Sequence, residues 1–262
     1  MSSPLTPRPS PLRPRLRGFT PHPRAARALL LAFAALAAVH LTGLAAYAAA
    51  PTGSAPAALA DTAVHLTKPA LMPLLAAHTL ARGGPPLLAA ALLFGCGGDT
   101  FLQIGGSAFL VGMASFAAGH LCYLRLFARH GTPLTTRLGG RRPRAAAVTA
   151  LYAAALTATV LLLWPGLPTG LRLPVAGYSL LLTAMAFTAL RTGPRAAAGG
   201  LLFLLSDTLI ATGLAHWPQP PAPQLWIMLT YTAAQFALAM GVLAAATPPA
   251  VPVRPRSRAA AA

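Results

Sequence analysis

The chain contains only three acidic residues in 262, and none of them is glutamate. Two of the three, Asp99 and Asp207, fall inside long apolar segments. Asp99 is about 14 residues and Asp207 about 12 residues into its segment, roughly 18–21 Å from the cytoplasmic side at 1.5 Å per residue. An ionisable residue at that depth costs on the order of 2.5–3.5 kcal/mol to insert. A chain this sparing of acids has placed two of them where they cost most, so both are candidates for a functional site facing the interior of a helix bundle. Lys68 is the only lysine and also lies near mid-depth. Pro69 and Pro73 follow it, and both can free backbone carbonyls and kink the helix around a cavity. A buried ammonium needs an anion, so Lys68 is expected to face Asp99, Asp207 or an anionic ligand group. The third acid, Asp61, is expected to cap the second apolar segment or sit at its interface.

Other polar residues recur at helical spacing. His120 and Tyr123 stand at i, i+3, and Tyr231 and Gln235 at i, i+4, so each pair shares a helix face. Inward hydrogen bonding between helices is the plain reading for any one of them. For Ser206, beside Asp207, it is a bond to its own helix backbone. His40 lies on the first segment and His65 and His78 on the second, without metal-binding spacing, and no metal is expected. Cys96 and Cys122 form no C-x-x-C and read as small core residues. The chain lacks a Gly-x-Ser-x-Gly elbow, which disfavours a serine hydrolase.

These residues must be held by membrane helices. Charged residues are 9% of the chain and hydrophobic ones 56%, where a soluble protein carries about 25% charged. Such a chain cannot cover a soluble surface, which argues against a cytosolic enzyme. Eight segments are long enough to span a bilayer, at about 25–48, 58–80, 85–104, 106–127, 145–164, 172–190, 195–215 and 224–246. The break at Gly105-Gly106 predicts a tight hairpin between the third and fourth. The net charge of +17 comes from arginines that gather in alternate connections, around Arg82, Arg125–Arg144, Arg191–Arg195 and both tails, leaving Arg172 alone on the other side. That alternation reads as eight spans with both termini cytoplasmic, and not as a nucleic-acid-binding patch. The expected organisation is a disordered Arg/Pro-rich tail over 1–24, a membrane domain over 25–246 and a disordered tail over 247–262. The fold class is all-α and polytopic, and the richness in Ala, Arg and Pro points to a bacterial plasma membrane. Phe94, Asp99 and Thr100 are echoed by Phe203, Asp207 and Thr208, which raises a parallel four-plus-four duplication.

Five motifs in this order resemble the YhhN family of membrane proteins, whose eukaryotic members are lysoplasmalogenases. They are Leu66-Thr67-Lys68-Pro69, Gly97-Gly98-Asp99-Thr100, Phe116-x3-His120-x2-Tyr123, Gly199-Gly200-x2-Phe203-x2-Ser206-Asp207 and Tyr231-x3-Gln235. The resemblance covers roughly residues 25–246. It implies hydrolysis of the vinyl ether bond of a lysophospholipid, giving a fatty aldehyde and a glycerophospho-amine. It also implies that Asp99 and Asp207 are catalytic, with Lys68, His120, Tyr123, Ser206, Tyr231 and Gln235 in binding or supporting roles. Membrane lipids are the surroundings, and neither a cofactor nor nucleic acid is required. Vinyl ethers hydrolyse by protonation of the β-carbon, followed by attack of water on an oxocarbenium ion. This needs an acid that still holds its proton near neutrality and an anion near the developing cation, a division of labour that two neighbouring buried carboxyls can supply. From the residues alone, a proton-coupled transporter using the same acids as a relay and a non-enzymatic lipid-binding membrane protein stand as alternatives.

Overall fold

The computed structural model describes residues 22–247, and these contain helices and no strands. The helices are α1 (Pro23–Ala49), α2 (Ala55–Ala81), α3 (Pro86–Ile104), α4 (Ala108–His130), α5 (Leu134–Arg137), α6 (Arg142–Leu163), α7 (Thr169–Ala189), α8 (Pro194–Leu214) and α9 (Pro223–Ala246). Prolines open several of them, including Pro23, Pro86, Pro194 and Pro223. At the first helical position the missing N–H removes nothing the helix would have used. Gly105 and Gly106 carry φ of 73° and 55°. This left-handed pair suits glycine and turns the chain directly from α3 into α4.

Among the described residues, seven helices are long and apolar enough to cross a membrane, so this is a multi-pass membrane protein by length and composition. The eighth long helix, α2, matches α1 in length but carries Asp61, His65, Lys68 and His78 and is not among the seven. The short α5 lies in the arginine-rich connection, where no element was expected. α1 takes in Pro23 and Arg24, which the sequence assigned to the tail. The other tail expectations, over 1–21 and from 248 onward, lie outside the described residues.

In order, α1, α2, α3, α4, α7, α8 and α9 pack side to side, and α9 closes back on α1 and α4. α6 leans on α7 from outside, with Leu163 its one buried residue. The main core includes Leu71, Leu92, Phe127, Met185 and Leu238. A second, small cluster joins Leu163, Leu167, Val175 and Ala215.

Both internal prolines of α2 act as expected on the backbone. Pro69 and Pro73 release the carbonyls of His65 and Pro69, four residues earlier. α3 takes up both. Gln103 donates to the His65 carbonyl at 3.2 Å, and the Cys96 thiol donates to that of Pro69 at 3.1 Å. Cys96 is therefore more than a core filler. Asp61 does not cap α2. Ser54 is the cap, accepting from the Ala57 N–H, and Asp61 instead pairs with His65 at 3.3 Å in a half-exposed position.

Candidate active site

Asp99, His120, Tyr123, Ser206, Tyr231 and Gln235 are buried in the packed ring and Lys68 and Asp207 partly so, while Asp61 and His65 stay half-exposed, and the pairs the sequence suggested come apart. On one side, Lys68 Nζ of α2 lies 4.0 Å from Asp99 Oδ1 of α3. Asp99 is 3% exposed, and its Oδ2 is buried without a hydrogen-bond partner. Tyr231 of α9 stands beside it. The Tyr231 hydroxyl accepts from Gln235 Nε2 at 3.3 Å, and Gln235 Oε1 accepts from the Tyr123 hydroxyl of α4 at 2.7 Å.

On the other side, Asp207 of α8 accepts a 2.5 Å hydrogen bond at Oδ2 from the hydroxyl of Tyr178 on α7. His120 Nε2 lies 3.0 Å from the same hydroxyl. Because Tyr178 donates to the carboxylate, it accepts from His120. This places the imidazole proton on Nε2 and leaves the buried Nδ1 bare. His120 and Tyr123 thus share a helix but serve different aspartates. Between the two networks sits an aromatic cluster. Phe116 meets Phe203 and Tyr231 edge-on, with centroids 6.2 and 5.8 Å apart, and Phe203 meets His120 at 4.9 Å.

Ser206 differs from its expected role. Its hydroxyl crosses to α9 and donates to the Ile227 carbonyl at 3.1 Å. The motif hid this because a serine beside an aspartate gives no hint of which neighbour it reaches. Tyr178 was missed altogether. It sits in the middle of an apolar helix, where a phenol costs too little for its depth alone to single it out.

A cavity of about 180 Å³ joins the two sides, lined by Lys68, Asp99, Asp207, Tyr231, Phe116 and, at one end, the exposed Gln224. That is room for about six waters at roughly 30 Å³ each. A second cavity, of about 260 Å³, includes Asp207, Tyr178 and Phe116 in its wall and runs between α4, α6, α7 and α8, with Leu102 of α3 at its edge. The first brings both carboxyls and the ammonium to the wall of one small space that opens at Gln224. The arrangement can donate and accept protons and hold water beside an apolar wall. Among the described residues no group of three His, Cys, Asp or Glu converges as a metal site. His40 bonds Thr67 and His78 bonds the Ala26 carbonyl instead.

Residues 63–242 match the YhhN family. This chain belongs to that family. The matched stretch holds every residue of both YhhN networks. Among relatives, a pig protein named lysoplasmalogenase TMEM86B is 39% identical over 155 residues, covering 59% of this chain and 62% of the relative. A human protein of the same name is 36% identical over 166 residues, covering 63% and 67%. The match to the pig relative therefore spans about three fifths of its length. No solved structure matches this YhhN chain.

Proposed function

We propose that this protein is a membrane ether hydrolase that cleaves the vinyl ether bond of lysoplasmalogen or a related lysolipid. One observation carries the reading: Asp99 and Asp207, far apart in sequence, line one cavity with Lys68. The names of the relatives support the substrate class.

The reaction is a two-carboxyl sequence. One carboxyl gives its proton to the β-carbon of the vinyl ether, and the double bond's electrons form the new C–H bond. The α-carbon becomes an oxocarbenium ion, stabilised by the other, ionised carboxylate. A water in the cavity attacks that carbon and loses its proton to the carboxylate. The hemiacetal collapses, its C–O bond breaking with proton transfer to the leaving oxygen, to fatty aldehyde and glycerophospho-amine. The pair titrates as a unit, so the acid and base roles belong to the two together. Lys68 balances the single negative charge that they share. Tyr231, Gln235 and Tyr123 hold the Asp99 side, and Tyr178 and His120 hold Asp207. No step calls for a cofactor.

The same reading includes eight spans in a bacterial plasma membrane, with both termini cytoplasmic. α2 joins the seven apolar helices as a span because its one deep charge, Lys68, is paired with Asp99.

The test is aldehyde release by purified protein from vinyl ether lysolipids of several head groups. Wild type releases aldehyde, and Asp99→Asn and Asp207→Asn each lose at least about 10²-fold in kcat, the usual contribution of a general acid or base. If the correctly inserted Asn variants release aldehyde at the wild-type rate, the paired-carboxyl reading is wrong.

A further inference from the structure

The cavity between α6, α7 and α8 has an unusual position. It starts at the reacting carboxyl and ends at the outer surface of the bundle. Asp207, Tyr178 and Phe116 form its deep end, and Asp207 and Phe116 also wall the polar cavity. Val175 and Leu182 of α7, 7% and 3% exposed, make its floor. Leu151 of α6 and Leu201 of α8, 66% and 52% exposed, form its rim. α6 is the loosest wall, largely apolar after its first-turn arginines and buried only at Leu163.

We infer that this cavity is the slot for a single unbranched hydrocarbon chain, entered sideways from the bilayer between α6 and α8. The inference deepens the proposed hydrolase reading and rests on it for the identity of the ligand. The shared wall puts the first chain carbons, where the vinyl ether lies, against Asp207, and sends the glycerol into the polar cavity beside Lys68. A volume of about 260 Å³ holds about nine methylene-sized units if each takes up roughly the space of a water, about 30 Å³. Two chains of that length do not fit, so the slot selects a lysolipid over a diacyl-type lipid. Carbons beyond the slot pass the rim and lie among membrane lipids.

The experiment uses full-length protein in nanodiscs and a saturated-ether lysolipid, which has no bond to hydrolyse, with a photoreactive group in its chain. Labelling maps to α6 and α8 along the slot and is competed by unlabelled lysolipid. Ala155→Trp, on the exposed α6 position that lines the slot, lowers it at least tenfold and shifts aldehyde release toward shorter chains. Ala153→Trp, an exposed position of α6 that does not line the slot, changes neither, and melting curves show both variants folded. Labelling without competition, or equal effects of the two substitutions, overturns the slot. Competed slot labelling without aldehyde release removes the hydrolase reading and leaves the slot standing. Aldehyde release without competed labelling does the reverse.

Discussion

Asp207 has one carboxylate oxygen tied to Tyr178 and Asp99 has one left bare, so the two aspartates are not equivalent. A hydrogen bond to a charged group contributes about 1.5–3 kcal/mol. Tyr178→Phe removes that bond and keeps the ring in place against His120. The expected result is a fall in kcat of about 10–100-fold at nearly constant KM, read by steady-state kinetics on protein with an unchanged melting temperature. A change confined to KM would place Tyr178 in substrate binding instead. Lys68 and Asp99 make a different case. Removing one partner of a buried ion pair costs about 3–5 kcal/mol, while removing both costs much less. Lys68→Met and Asp99→Asn should each lower thermal stability, and the double variant should be less destabilised than the sum of the two. Additive losses would show that the pair is not coupled. The aspartates and Lys68 were legible in the sequence because charge inside an apolar run is expensive and rare. Tyr178 was not, because a phenol costs little in a membrane helix and announces itself only through its partner.

Helix ends were readable to within a few residues, since prolines and glycines punctuate the chain at Pro86, Gly105, Pro194 and Pro223. What the sequence could not supply is which faces meet. The glycines before Asp99 show why. A Cβ on Gly95 would come within 2.9 Å of both Gln235 Nε2 and Tyr231 OH, and one on Gly98 within 2.5 Å of the Phe116 ring. These glycines let α3 approach α4 and α9 closely enough to bring Asp99 beside Tyr231. Gly98→Val inserts a branched side chain where Phe116 stands, and overpacking of this kind costs about 1–3 kcal/mol. A lower melting temperature, together with reduced aldehyde release, is the expected outcome of calorimetry and assay. Unchanged melting would mean that the α3–α4 contact is looser than described. The duplication hinted at by Asp99-Thr100 and Asp207-Thr208 gains two further correspondences. The interval from Pro86 to Pro194, at the starts of α3 and α8, equals that from Asp99 to Asp207, and so does the interval from Ala81 to Ala189, at the ends of α2 and α7. Lys68 of α2 then serves Asp99 much as Tyr178 of α7 serves Asp207, one half-site paired by charge and the other by hydrogen bond.

Several connections gather in pairs by direct bonds. The His22 N–H reaches the Ala81 carbonyl at 2.9 Å, Arg137 Nη2 reaches the Thr192 carbonyl at 2.9 Å, and the Thr132 N–H reaches the Arg191 carbonyl at 2.9 Å. These are the segments that hold the arginines at Arg24, Arg82, Arg137 and Arg191, so the proposed topology, which follows the positive-inside rule, makes that end cytoplasmic. Asp99 lies nearer the Gly105 end of α3, and Gln224, at the polar cavity's rim, lies in the first turn of α9. In the proposed topology the polar cavity then faces the other, external side, while the apolar slot runs along α8 from Leu201 past Asp207 to Leu214, on both sides of the carboxyl. In the proposed reading, a lysolipid from the outer leaflet, head outward in the polar cavity, lays its chain along the Leu201 arm of the slot. Single cysteines test this arrangement in intact cells. Ser107→Cys, in the α3–α4 turn, should react with a membrane-impermeant maleimide without permeabilisation, and Thr136→Cys, in α5, only after it. Both positions are exposed, so failure to label reports sidedness and not burial. The reverse pattern would invert the topology and bring the substrate from the cytoplasmic leaflet. Labelling of both positions from the same side would mean an even number of spans between them, so that α4 does not cross the membrane alone, and the eight-span topology would have to be redrawn.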